Sequence, residues 1–401
     1  MSASHSETKS VVSNEDLPCY RVDADGVPAA AEQEAQAGIA RQLAEPPAWL
    51  ALERGVIPAE RIRKVPVGPT LLLGFGGSAL GARAALEFAE VAGMRPGPVR
   101  ILDAVDPAVV KDALEWATAR GASVMVVSKS ARTIEVLTLL EACLARDLRV
   151  STMISDPDPG GEDTAPIRAR VRAAGANTLE LEIPPEVGGR WSVFTAVGQA
   201  PLRAANLDPM LLTGAAMRER DRMRATGSAE LARSIAWRGA HPGPFSVLWC
   251  YSEVLMHFAA WVQQLECESL GRLREDGSRV GELVCPLRGP ADQHSVAQLL
   301  LDGPQHGRVT ILDFDDDESG IDAGELATLA RLRIVEREAT RESMTLPTRR
   351  LLVRDRGPAT LGALMLHHML ETAIVAERMG IDPYGQPAVE RIKRGIRARL
   401  G

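Results

Sequence analysis

The chain has 401 residues, more than one ordinary core accommodates, so two packed domains with terminal extensions are expected. Apolar residues make up 45% and charged residues 25%, enough to bury sizeable cores without disulfides or metal. A formal net charge of −7 argues against nucleic acid as a partner, whose phosphates need many Lys and Arg contacts, yet leaves room for one small phosphorylated ligand.

The N-terminal arm, residues 1–45, lacks strand patterning and is expected to start disordered and to turn helical from about Pro28. Its polar start is not that of a signal peptide. Pro46-Pro47 then punctuates the chain. A first α/β domain is expected over 46–205, with strands at Thr70–Phe75, Val99–Leu102, Val124–Val127, Arg149–Ile154 and Thr178–Ile183. Apolar runs that alternate with helical segments predict a parallel sheet with both faces covered. A second domain over 206–372 opens with a helical connection, Asn206–Ala240. Its clearest strands are Phe245–Trp249 and Val309–Phe314. The tail, 373–401, belongs to a long helix that begins near Leu361 and breaks at Asp382-Pro383. The most apolar stretch, Pro244–Val262, is interrupted by Glu253 and His257, so it reads as a buried strand entering a helix rather than a membrane span. Five cysteines, Cys19, Cys143, Cys250, Cys267 and Cys285, show no C-x-x-C spacing. That pattern suits a cytoplasmic chain and supplies no metal-ligand set.

Six segments carry chemistry. Gly74-Phe75-Gly76-Gly77-Ser78 closes a buried strand. Glycines there let the backbone approach a ligand, and the helix that follows offers amide donors to an anion, although a plain packing turn has the same composition. Neither a Walker lysine nor a G-x-G-x-x-G spacing is present. Ser128-Lys129-Ser130-Ala131-Arg132-Thr133 also joins strand to helix. Its hydroxyls suit a phosphate, and Ser130 or Thr133 equally suits a helix cap. Gly188-Gly189-Arg190 bends the chain before a guanidinium able to face a developing oxyanion or a structural carboxylate. Glu266 and Glu268, two apart at the end of an apolar helix, cannot share a face, so one points inward and one outward. A partly desolvated Glu there is a candidate base. His294 precedes a helical pattern and can exchange protons near neutrality. Gln386 and Lys393 flank the start of the last helix.

Taken in order, these segments resemble the phosphoglucose isomerase family. Gly74–Gly81 matches its G-x-G-G-S-x-L-G turn, and Ser128–Thr133 partly matches S-K-[TS]-x-T-T. Gly188–Gly198, Glu268–Gly271 and Gln293–Leu299 match its next three blocks, and Gln386–Lys393 partly matches the terminal one. The resemblance implies two flavodoxin-like sugar-isomerase (SIS) domains, parallel sheets flanked by helices, with a C-terminal helical segment. It implies reversible glucose 6-phosphate/fructose 6-phosphate isomerisation through a cis-enediolate, with another phosphosugar such as mannose 6-phosphate, or a non-catalytic sugar-phosphate sensor, as the alternatives. Gly77, Ser78, Ser128, Ser130 and Thr133 would hold the phosphate end, with Lys129 lining the pocket. Glu268 would move the proton, Arg190 would stabilise the enediolate, and His294 and Lys393 would assist ring opening. Gln386 would contact the substrate. No cofactor and no metal are expected. A homodimer is, with His294 reaching across the interface. The chain departs from the family at Arg132, at Arg272 for a customary Lys, at Gly385 for Asp and at Ala388 for Gly.

Overall fold

The computed structural model describes residues 18, 20–157, 165–175, 177–315 and 326–400. The strands, in chain order, are β1 (Tyr20–Asp23), β2 (Thr70–Leu73), β3 (Val99–Leu102), β4 (Ser123–Val127), β5 (Val150–Ser155), β6 (Leu179–Glu182), β7 (Phe245–Cys250), β8 (Arg272–Leu273), β9 (Arg279–Val280), β10 (Leu283–Arg288), β11 (Gly307–Phe314) and β12 (Thr348–Val353).

The first sheet has the order β3-β2-β4-β5-β6, and all its pairings are parallel. Ranked along the chain this is 2-1-3-4-5, the doubly wound flavodoxin-like order. Its inner strands are apolar on both sides because helices cover both faces. Leu72 faces one core while Leu71 and Leu73 face another. The second sheet runs β1-β12-β11-β7-β10 and repeats that order, with β7 inside, β10 outside it and β11 and β12 on the other flank. The fifth position is taken by β1, antiparallel to β12.

That strand corrects the reading of the N-terminal arm, which lacked strand patterning. Tyr20 and Val22 are buried and Arg21 is exposed. One alternation over four residues is too little periodicity to recognise, and the strand exists because an open sheet edge is there to receive it. Helix Ala29–Ala44 follows, close to the expected start. The remainder of the expected disordered start lies outside the described residues. Among the strands, β10, β12 and the β8–β9 hairpin were not anticipated, since Pro286 interrupts the first and charges occupy the others.

Two helices bind the sheets into one frame. Helix Leu255–Leu270 packs along helix Leu80–Val91, which opens from the glycine turn after β2. Helix Pro358–Arg378 begins on a proline, suited to a first helical turn, and is buried along nearly its whole length. By length and composition it could cross a membrane, but 89% of its most apolar window is buried inside the protein. It ends before Asp382-Pro383, and helix Val389–Leu400 resumes beyond.

Candidate active site

β2 and β4 are parallel neighbours, so the turns that leave their C-terminal ends lie side by side. This is the edge of a doubly wound sheet where ligands collect. In the first turn Gly76 has φ +54°, and a Cβ there would sit 2.5 Å from Gln264 Nε2. A Cβ on Gly77 would press on the Gly189 carbonyl. Gly76 is thus favoured by its left-handed backbone, and Gly77 is required by the close approach of this turn to the Arg190 turn. The second turn folds back on itself: the Ala131 amide donates to Ser128 O (3.0 Å), with Ala131 at φ +49°. A non-glycine residue in this conformation marks a strained turn held by its surroundings.

The capping alternative is resolved by geometry. Thr133 occupies the cap position of helix Ile134–Leu144, but its side chain makes no capping bond. Its hydroxyl instead lies 3.0 Å from that of Ser128. Ser130 Oγ accepts from the Arg132 amide at 3.3 Å, just ahead of the helix. The helix therefore begins without a side-chain cap, beside three hydroxyls. Lys129 donates to Asp156 Oδ1 (2.6 Å) and to Pro185 O (3.2 Å), which draws its ammonium toward the end of β5.

Arg190 is the hub of the chemical end. Only 2% of its side chain is exposed, and it lies 3.6 Å from Glu268 Oε2. Nε donates to Ser269 Oγ (2.8 Å), Nη1 to Gln386 Oε1 (3.0 Å), and Nη2 to Gly385 O (3.2 Å) and to Pro383 O. Burial pulls the guanidinium down to about 10 while Glu268 pushes it back up, so it stays charged at neutral pH. Gln264 donates to Glu268 Oε2 at 3.4 Å. A cleft of about 690 Å³ runs from Glu268 past Gly271 and Arg272 to Gln386 and Val389.

The expected opposition of the two glutamates is present. Glu268 turns to Arg190 and the cleft, while Glu266 turns into the core against Arg238 (2.7 Å). The core cluster also holds His367, His368 and Glu371, whose ligand-type atoms lie within 4.8 Å of one another. It does not fit a metal. Arg238, Arg308 and Arg349 already balance Glu266, Glu282 and Glu371, three charges against three, so a divalent cation would add two uncompensated buried charges.

The structure thus brings Gly77, Ser78, Ser128, Ser130 and Thr133 to adjacent strand ends and joins Arg190, Glu268 and Gln386 by direct contacts. It does not bring His294 or Lys393 to them within the chain. His294 is exposed at the end of the turn Ala291–His294. Lys393 is exposed on the last helix and paired with Glu390 (2.8 Å). Sequence reasoning missed Gln264, Ser269 and Asp156. Gln264 was detectable as the i, i+4 neighbour of Glu268 on one helix face. Asp156 carried no local signal, since it meets Lys129 only through strand pairing.

Two flavodoxin-like sheets, with hydroxyl-rich turns at one and a guanidinium–carboxylate pair beside the other, place the protein in the class built from two sugar-isomerase domains. A family profile for phosphoglucose isomerase matches residues 65–314. A glucose-6-phosphate isomerase of Thermus thermophilus is 32% identical over 354 residues, covering 82% of this chain and 83% of that one. A crystal structure of a hypothetical protein from the same organism superposes with a TM-score of 0.77 at 28% identity, covering 95% of this chain and all of that one. A glucose-6-phosphate isomerase from Chlamydia trachomatis shares the fold, with a TM-score of 0.68 at 20% identity and coverage of 94% and 76%. The chain belongs to the phosphoglucose isomerase family.

Proposed function

We propose that the protein is a glucose-6-phosphate isomerase that interconverts glucose 6-phosphate and fructose 6-phosphate. The observation that carries this reading is the contact between a buried guanidinium, Arg190, and a cleft-facing carboxylate, Glu268, one residue contact away from the glycine turn after β2. Moving a proton between C2 and C1 of a phosphosugar requires a base and a fixed cation for the enediolate oxygen, each typically worth about a hundredfold or more in rate. Glu268 serves as the base and Arg190 as the cation. Gly77, Ser78, Ser128, Ser130 and Thr133 hold the phosphate, and Lys129 lines that end of the pocket. Anchoring the remote phosphate fixes the reacting carbons against Glu268, which converts binding energy into orientation.

Ring opening falls to His294 and Lys393. His294 is solvent-facing in its own chain and acts in the site of a second copy, in a cytoplasmic homodimer. Support comes from the surface beside it. Gln293 is tied to helix Ala327–Ser343 through Thr340 (2.8 Å), and that helix exposes Leu329, Leu332 and Val335, with Leu299 nearby in sequence to His294. An apolar stripe of this kind is commonly covered by a partner. Lys393 is assigned to the sugar because the start of its helix, at Val389 and Arg391, lines the same cleft as Glu268.

The test is turnover of fructose 6-phosphate coupled to glucose-6-phosphate dehydrogenase, followed as NADPH. Steady production of NADPH is expected. Binding of the sugar phosphate without turnover would identify a sensor, and turnover of mannose 6-phosphate alone would identify a different phosphosugar isomerase.

A further inference from the structure

Arg272 follows directly on the helix that carries Glu268, and its guanidinium is engaged with main-chain carbonyls. Nη1 donates to Glu268 O (2.7 Å) and Gly271 O (2.8 Å), Nε donates to Asp382 O (3.0 Å), and Nη2 donates to Gly385 O. Two of these carbonyls belong to the end of helix Leu255–Leu270, where orphan acceptors and the negative end of the helix dipole favour a cation. The other two belong to the segment between the last two helices. Arg190 grips that same segment through Pro383 O, Gly385 O and Gln386 Oε1. Gly385 O therefore accepts from both guanidiniums.

Residues 382–386 form neither helix nor strand. A further side-chain anchor is the Trp49 indole N–H, which donates to the Tyr384 hydroxyl at 3.2 Å. Burial lowers the proton affinity of both guanidiniums, more than Arg272 lowers that of Arg190, and Glu268 and Asp382 work in the opposite direction on both. A lysine does not reproduce this arrangement, because its three donors radiate from one nitrogen and meet at most three acceptors, whereas the planar fork and Nε reach four carbonyls on the two segments from fixed directions.

We infer that Arg272 is a positioning residue: it staples the 382–386 segment to the helix of Glu268 and thereby sets Gln386 against Arg190 and Glu268. This rests on the functional reading above and adds a residue to it. The phosphate turns belong to the other sheet, so loss of the staple displaces the chemical end and leaves the phosphate grip in place. The effect therefore falls on kcat rather than on KM.

Arg272→Lys and Arg272→Ala test this in the full chain, by hydrogen exchange and by fructose 6-phosphate kinetics. Amides in 381–388 are expected to exchange at least about tenfold faster in both variants, with β7 unchanged, because local opening is uncoupled from global unfolding. In Arg272→Lys, kcat is expected to fall about tenfold or more with KM within about twofold, the size of loss that a displacement near 1 Å produces. Added guanidinium ion should restore part of the kcat of Arg272→Ala. Wild-type kcat and exchange in Arg272→Lys would overturn the inference. So would accelerated exchange spread evenly over β7 and the rest of the core, which marks general destabilisation. If the unaltered protein turns over no phosphosugar, the functional reading fails while the exchange comparison still decides whether the staple exists.

Discussion

Glu266 and Glu268 stand two residues apart on one helix and have opposite surroundings. Burial raises the cost of charging Glu266, but Arg238 and His368 together outweigh it and hold the carboxyl at about 2. Glu268 keeps about a third of its side chain exposed to the cleft. The helical period alone separates the two faces, so their opposition was legible in the sequence, while the choice of which faced the cleft needed the resemblance. The core cluster around Glu266 was not legible at all, because its members come from helices and strands far apart in the chain. His367 within it touches Tyr20, Ser234, Glu371 and His368, with Arg349 close by. Burial depresses its pKa from 6.5 to about 4, against the pull of Glu371. The unfolded chain then binds a proton that the folded chain refuses, so stability is present above pH 6.5 and is lost as pH falls toward 4. The full shift corresponds to roughly 3 kcal/mol. His367→Gln is expected to be less stable than the unaltered protein at pH 7, with the gap narrowing as pH falls to 4 in chemical denaturation. A gap independent of pH would show that His367 is not the neutral, buried group described.

At the scale of elements, the long periodic segments were readable and the short ones were not. β2, β4 and β7 are buried runs bounded by turn residues, a strong signal. β1 has four residues, and its pairing with β12 is specified by an open edge that sequence cannot display. The turn Ala291–His294 raises a sharper issue, because its histidine faces solvent in its own chain. Co-expression of Glu268→Gln with His294→Ala separates the possibilities. Each variant alone lacks one group at every site. A hybrid dimer that shares histidines across the interface regains one complete site of two, so random pairing restores about a quarter of full activity. If histidine works within its own chain, no pairing restores any.

For the whole molecule, the two sheets repeat one strand order and the site forms where parts of both converge. The glycine turn after β2 presses on the Arg190 turn and on Gln264, and the C-terminal segment closes the arrangement through Arg190 and Arg272. The six motifs were visible in the sequence as isolated patterns at the ends of strands and helices. Their convergence was not, because it depends on helix Leu255–Leu270 of the second sheet lying along helix Leu80–Val91 of the first. Glu268, set at this convergence, is the proposed proton carrier. The most direct measurement is incubation of fructose 6-phosphate with the protein in D2O, following deuterium at C2 of the glucose 6-phosphate formed, for the unaltered chain and for Glu268→Gln. The unaltered protein is expected to give product labelled at C2, and the variant to lose both product and label by a hundredfold or more, about the weight of a general base. Labelling by Glu268→Gln at the unaltered rate would contradict the account and assign the proton to another group.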